Sequence, residues 1–411
     1  MPAELRADPA PAGRWLAIVG IGEDGVAGLG EAARKLVSGA EFVFGGARHL
    51  DLARPLIRGE TRQWPSPFDV APVLALAGRK VCVLASGDPF LHGVGATLLR
   101  HVGAGEIEVV PAPSSFSLAA ARMGWGLQDI ETISLHGKAI PRLRPLLHPG
   151  RRVLCLTSDA AGPSAVAAFL DGLGFGPSRL TVLEALGGPA ERIRSATATG
   201  FSLADVAPLN VVAIEVAAVA TARPLPLTPG LPDDAFDHDG QITKREIRAL
   251  TLSALAPRRG ELLWDIGAGA GSVCIEWMLA DPSCRAVAIE ADPARAARIA
   301  KNAEALGVPD LHVVEGEAPA ALAGLAAPDA VFVGGGGSEP GVLDAAVGAL
   351  RPGGRLVANA VTLEMETVLL TRHAALGGEL TRIAVSRAAP VGTMTGWRPA
   401  MPVTQWSWTK P

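Results

Sequence analysis

Short apolar runs, each closing on glycines and giving way to a helical spacing of apolar residues, recur along most of the chain. Runs of this kind read as strands covered on both faces, and the spacing after them as helices that cross back over a sheet. Trp15–Val19 predicts a strand running into GIGEDG (Gly20–Gly25), with a helix over about Leu29–Ser38. Lys80–Leu84 predicts another, ending in ASGDPFLHGVG (Ala85–Gly95), and Ile107–Val110 a third, ending in PAPSSFSLAAARMGW (Pro111–Trp125). Repetition of strand, loop and helix points to a parallel, doubly wound sheet with its loops gathered at one edge. Arg152–Leu156 and the helical Pro163–Leu170 continue the alternation. Arg179–Glu184, Arg192–Ala196 and Val211–Val216 then read as strands without full crossover helices, which predicts a second, more antiparallel subdomain.

The pattern breaks at Thr221–Ala235, where Pro224, Pro226, Pro229 and Pro232 interrupt any periodicity, so a linker is expected there. The expected limits are a disordered Ala/Pro-rich tail at 1–13, a first domain at 14–220, the linker at 221–236 and a second domain at 237–411. The second domain opens with a helix at Thr243–Leu255. Strands are predicted at Glu261–Trp264, Arg285–Ile289, Leu311–Val314, Ala330–Val333 and Arg355–Ala360, alternating with helices. Glu379–Ser386 and Val403–Thr409 close it as strands, and the Gly/Pro-rich Ser386–Val403 between them is expected to be a loop.

Composition narrows the function classes. With 411 residues, 49% hydrophobic content, 48 glycines and 33 prolines, the chain fits an α/β protein of two domains with many tight loops. A net charge of −4 gives no general attraction to nucleic acid or an anionic membrane, and 4% aromatics without tyrosine argues against a base-stacking platform. No apolar run reaches the roughly 18 residues of a membrane span. The N-terminal stretch reads as neither signal peptide nor anchor. Cys82, Cys155, Cys274 and Cys284 show no C-x-x-C spacing and read as small buried hydrophobes in a reducing, cytoplasmic setting, with no metal site expected.

The densest chemical signal is LLWDIGAGAGSVCIEW (Leu262–Trp277), a strand that turns into a helix through Asp265, Gly267, Gly269 and Gly271. Glycines there bring bare backbone N–H groups and a helix N-terminus up to a ligand. The spacing D-x-G-x-G-x-G differs from the dinucleotide pattern G-x-G-x-x-G. Glu290, at the end of the next strand, suits ribose hydroxyls. Together these resemble the S-adenosyl-L-methionine site of the Rossmann-like methyltransferases, a seven-stranded fold. That resemblance adds Thr243, Gly316, Glu317 and Ala318 to the expected cofactor set. It also adds Gly335, within the four-glycine run Gly334–Gly337 that leaves space for a wide, flat substrate.

In the first domain the order V-G-I-G-x-x-G, S-G-D-P-x-x-x-G and P-A-P-S-S resembles the tetrapyrrole methyltransferase superfamily, which holds S-adenosylmethionine in a cleft between two α/β subdomains. Ser86 and Ala112 stand where many members carry glycine. The resemblance implies cofactor contacts from Gly20, Gly22, Gly87, Asp88, Ser114 and Ser115, with Asp88 also a candidate for the chemistry. His92, His136 and Lys138 are weaker candidates from neighbouring loops.

The two folds in this order resemble the precorrin-6Y C5,15-methyltransferase (decarboxylating) family of cobalamin biosynthesis. This implies methylation of precorrin-6Y at C-5 and C-15 and loss of carbon dioxide from the ring-C acetate, and in that family the first domain is linked to C-5. A substrate rich in carboxylates calls for arginine anchors, for which Arg387 and Arg398 are the candidates, with Trp397 against the macrocycle. A homo-oligomer is expected. The alternative is a methyltransferase of RNA or protein whose first domain only binds.

Overall fold

The computed structural model describes residues 13–411, and the tail expected at 1–13 lies outside them but for Gly13. The chain forms two compact units that divide between Arg223 and Pro224, with Pro141–Leu147 clustering with the second.

The first unit holds two five-stranded sheets. One is built from β1 (Leu16–Ile21), β2 (Phe42–Gly45), β3 (Glu60–Gln63), β4 (Val81–Ser86) and β5 (Ile107–Val110), all parallel, in the order β3-β2-β4-β1-β5. Helices α1 (Glu31–Gly39), α2 (Ala47–Ala53), α3 (Ala71–Leu74) and α4 (Val94–Leu98) connect them. Every residue of β1 is buried, and alternate side chains enter separate cores: Leu16 and Ile18 on one face, Ala17, Val19 and Ile21 on the other. That two-sided burial is why the run lacks polar alternation. Helix α5 (Ser115–Met123) leads into the second sheet, whose strands are β6 (Glu131–Ser134), β7 (Arg152–Leu156), β8 (Arg179–Glu184), β9 (Arg192–Thr197) and β10 (Asn210–Glu215). Its order is β6-β7-β10-β8-β9, antiparallel except for β6 on β7, with α6 (Gly162–Gly172) after β7.

The second unit is one seven-stranded sheet. Helix α7 (Arg245–Leu255) precedes β11 (Leu262–Ile266), and α8 (Ser272–Ala280), β12 (Arg285–Glu290), α9 (Pro293–Ala305), β13 (His312–Glu315), β14 (Ala330–Val333), α10 (Val342–Ala349), β15 (Arg355–Ala360) and α11 (Leu363–Leu376) follow. The sheet is completed by β16 (Glu379–Ile383) and β19 (Val403–Thr409), in the order β13-β12-β11-β14-β15-β19-β16 with β19 antiparallel to both neighbours. Alternate residues of β11 again feed two cores, Leu263 one and Leu262, Trp264 and Ile266 the other. Trp406 and Trp408, stacked with centroids 6.2 Å apart, anchor β19.

Two expectations change here. Ser386–Val403 is not a loop throughout: β17 (Ser386–Val391) and β18 (Met394–Pro399) pair as a separate antiparallel hairpin. Within the stretch read as linker, Leu225, Leu231 and Phe236 are buried in the second unit's core. Glu276 explains this, since its carboxylate accepts from the Gly230 N–H at 2.6 Å, the Leu231 N–H at 3.0 Å and the fully buried Arg248. A buried charge pair holds only when such hydrogen bonds complete it. All four cysteines are unpaired and buried.

Candidate active sites

In the second unit, β11 ends at Ile266 and the chain climbs through Gly267, Gly269 and Gly271 at φ 70°, 60° and 74°, a region that L side chains rarely enter. A Cβ on Gly267 would also stand 2.5 Å from the Gly335 carbonyl oxygen, so the loops after β11 and β14 touch backbone to backbone. Glu290, at the end of β12, accepts the Gly269 N–H at 2.7 Å on one oxygen and the Asp292 N–H at 3.1 Å on the other. Each oxygen keeps lone-pair capacity for a further donor.

These loops border a cavity of ≈ 1060 Å³. Of the expected residues, Thr243, Gly267, Gly269, Glu290, Gly316, Glu317, Ala318, Gly335 and Arg387 line it. Its volume, bare glycine backbone and ribose-suited acid fit S-adenosylmethionine, with room left for part of a larger acceptor.

Four expected residues sit elsewhere. Asp265 lies within β11 rather than at its end, and it is 1% exposed behind the loop, not in the cavity wall. Its Oδ2 accepts the Cys274 N–H at 3.1 Å while Oδ1 has no partner, and burial pushes its carboxyl up to about 7. Gly271 also stands behind the wall, where a Cβ would meet Ile299 at 2.7 Å. Arg398 faces Arg387 across the hairpin and does not reach the cavity, and Trp397 is 77% exposed. Arg387 itself is ion-paired to Glu246, another cavity residue.

Sequence reasoning missed Asn359, on β15 in the cavity wall. Its Nδ2 donates to Thr251 Oγ1 at 2.9 Å, and its Oδ1 accepts from Gln405 Nε2 at 3.0 Å, which also donates to Thr251 at 3.2 Å. An asparagine inside the apolar run RLVANA was its only signal.

In the first unit glycine answers to crowding. A Cβ on Gly20 would lie 1.9 Å from the Gly87 carbonyl oxygen and 2.6 Å from the Ala112 nitrogen. The ends of β1, β4 and β5 are thereby locked together, with the Ala112 N–H donating to Gly87 at 3.1 Å. A crevice of ≈ 60 Å³ between the two sheets is lined by Gly22, Gly87 and Ser115, while Gly20, Asp88 and Ser114 stand outside its wall. Asp88 Oδ1 accepts the Phe90 N–H at 2.8 Å, bracing its own turn, and Ser114 caps α5 through the Ser117 N–H at 3.1 Å. His92, His136 and Lys138 do not line the crevice.

A cluster in the wall of that crevice escaped notice because neither β2 nor α2 was recognised. Arg48 pairs with Glu23 and donates to Ser86 Oγ at 2.8 Å, and His49 Nε2 lies 2.8 Å from the same hydroxyl. Burial, reinforced by the Arg48 charge, lowers His49 to about 4 and keeps its ring neutral. Among the described residues no group of three or more His, Cys, Asp or Glu is arranged to hold a metal, and no helix is long and apolar enough to cross a membrane.

Comparison with known proteins identifies the family. Residues 16–201 match the Tetrapyrrole (Corrin/Porphyrin) Methylases and residues 234–410 the Precorrin methyltransferase domain. A Precorrin-6Y C(5,15)-methyltransferase [decarboxylating] from Sinorhizobium sp is 62% identical over 405 residues, covering 98% of each chain. The chain belongs to this family. It is therefore a decarboxylating precorrin-6Y C5,15-methyltransferase of cobalamin biosynthesis that takes its methyl groups from S-adenosylmethionine, and the RNA- or protein-directed alternative falls away. A shorter relative of the family, the Salmonella typhimurium cobalt-precorrin-6B C(15)-methyltransferase (decarboxylating), is 37% identical over 166 residues, 39% of this chain and 85% of its own. The C-terminal domain of precorrin-6Y C5,15-methyltransferase from Rhodobacter capsulatus is 52% identical, covering 45% of this chain and 100% of that one, with a TM-score of 0.43.

Proposed function

We propose that the second unit carries out C-15 methylation and the decarboxylation, and that the first carries out C-5 methylation. The observation that carries this reading is the second unit's cavity, which pairs a cofactor-sized glycine cradle with the polar lining residues Lys244, Glu246, Asn359 and Arg387. The name of the short Salmonella relative joins C(15) methylation to decarboxylation in a protein matching 39% of this chain, which supports keeping those two steps in one unit. S-adenosylmethionine supplies a methyl on a positively charged sulfur, ready for in-line displacement by a nucleophilic carbon. What remains for the protein is alignment and exclusion of water. Gly267, Gly269, Glu290, Gly316, Glu317, Ala318, Gly335 and Thr243 hold the cofactor in the second unit, with Asp265 and Gly271 shaping the loop from behind. Arg387 meets substrate carboxylates, and Arg398 and Trp397 act from the hairpin only where the macrocycle extends beyond the cavity. In the first unit Gly20, Gly22, Gly87, Ser114 and Ser115 form the cofactor cleft, and Asp88 shapes it.

The test is mass spectrometry of the product formed by the full chain from precorrin-6Y and S-adenosylmethionine. Gly20→Ala is expected to give one methyl gain with carbon dioxide lost, and Gly267→Ala one methyl gain with the carboxyl kept. Loss of the opposite step in either variant would overturn the division. The reading further includes a cytoplasmic location, supported by four unpaired cysteines. It includes a homo-oligomer as well, supported by the exposed Val391, Met394 and Trp397 of the hairpin, for which light scattering at the monomer mass would be the contrary result.

A further inference from the structure

Asn359 interrupts an otherwise apolar strand, and its surroundings show that it is built in rather than tolerated. Behind it Thr251 is 0% exposed and Gln405 6% exposed, both on elements packed against β15. Buried hydroxyl and amide groups cost stability unless fully paired, and an apolar trio of the same shape would avoid that cost. The pairing here also fixes the amide. With Oδ1 taking the Gln405 N–H and one Nδ2 hydrogen given to Thr251, the second Nδ2 hydrogen and one Oδ1 lone pair remain for a ligand. Gln241 and Thr243 are the other neutral hydrogen-bonding side chains of the wall, and neither side chain is braced from behind by a comparable network.

The reaction has one carboxylate that must be treated differently from the rest. In decarboxylation the bond between the acetate methylene and the carboxyl carbon breaks, and its electron pair passes into the conjugated, protonated macrocycle. Carbon dioxide leaves without charge, and the methylene later takes a proton from water to become a methyl group. A guanidinium or ammonium on that carboxylate would stabilise the charged starting state and lose the interaction as carbon dioxide forms. A neutral amide orients the group with far less of that penalty. We propose that Asn359 holds the ring-C acetate carboxylate by its free N–H, with Thr251 and Gln405 as positioning residues, while Arg387 and Lys244 take carboxylates that are retained. This rests on the second unit being the decarboxylating one.

The experiment uses the full chain with precorrin-6Y and S-adenosylmethionine, resolving by mass spectrometry the product that has lost carbon dioxide from the one that has gained methyl groups and kept the carboxyl. Asn359→Ala is expected to slow decarboxylation about tenfold or more relative to C-15 methylation, as loss of a hydrogen bond to a charged group would. Thr251→Val and Gln405→Leu should shift the same ratio less. Asn359→Lys is the discriminating variant, since a cation here should lower both KM and the decarboxylation rate. Calorimetry should show cofactor affinity unchanged in all four. An unchanged ratio in Asn359→Ala, an equal fall in both steps, or faster decarboxylation in Asn359→Lys would overturn the proposal. If Gly267→Ala leaves decarboxylation intact, the assignment of that step to the second unit fails and takes Asn359 with it. If Gly267→Ala abolishes the step and Asn359→Ala does not, only the role of Asn359 fails.

Discussion

Glycine closes a strand at each of the two sites, and the physical demand differs. At Gly20 in the first unit a side chain would have to occupy the space of the Gly87 carbonyl, whereas in the second unit Gly267, Gly269 and Gly271 all hold left-handed backbone, which at Gly269 is the chief demand and at Gly267 and Gly271 is joined by close neighbours. The first site borders a crevice of ≈ 60 Å³ and the second a cavity of ≈ 1060 Å³. A cofactor-sized ligand fits the second unit as it stands. The crevice in the first is far smaller than such a ligand.

The largest expected effect that tests this contrast is at one glycine of each site. Gly20→Ala should destabilise the first unit by about 3 kcal/mol or more, because neither clashing atom belongs to a movable side chain. Gly269→Ala, whose nearest neighbour would be Gln241 O at 3.2 Å, should cost the second unit only about 1–2 kcal/mol of backbone strain. Thermal melts of each variant check both, and equal losses would remove the distinction.

Next in size is Glu290→Ala, which frees the Gly269 and Asp292 N–H groups. It should weaken cofactor binding to the second unit by about 1–3 kcal/mol and leave C-5 methylation intact. Calorimetry on the full chain, showing one of two sites weakened, is the measurement. Asp88→Ala should cost the first unit about 0.5–2 kcal/mol through its turn. Asp88→Asn keeps an acceptor for the Phe90 N–H and should retain C-5 methylation, and a folded but inactive Asp88→Asn would assign the charge to the chemistry instead.

The smallest effect is in pH, where the units should move in opposite directions. Asp265 is raised in the fold from 3.8 to about 7, mainly by burial, so its contribution is fully present below 3.8 and is lost as pH rises through about 7. Glu184 in the first unit is pulled up by burial, but hydrogen bonds from Arg192, the Ala207 N–H and Arg194 outweigh this and leave it below its ordinary value of 4.5. Its contribution is present above 4.5 and falls away in acid. Asp265→Asn should flatten the decline of the second unit's melting temperature between pH 3.8 and about 7, and an unchanged slope there would clear Asp265 of it.

Much of this arrangement was legible before any coordinates. Strands buried on both faces announce themselves by unbroken apolar runs, and Ile107–Val110, Arg152–Leu156, Ala330–Val333 and Val403–Thr409 fall where the pattern predicts. Strand β3 reads ETRQ and is largely exposed, so it offers no such run. The β17–β18 hairpin is exposed as well and contains Pro390 and Gly396, which composition assigns to a loop. Site residues divide along similar lines. Gly267 and Glu290 belong to a local motif, whereas the retreat of Asp265 behind the loop and the bracing of Asn359 from residues 108 and 46 positions away depend on packing. Contacts of that range leave no mark on local spacing.

The buried cysteines give each unit a chemical clock. Burial pushes Cys82 and Cys155 in the first up to about 12 and Cys284 in the second to about 11, and it raises Cys274 as well. The thiolate is the form that attacks a thiol reagent, so these groups stay silent in the folded chain near neutral pH. Each becomes reactive only when its own unit opens, and the order in which the four are labelled under mild denaturant reads out which half of the enzyme lets go first.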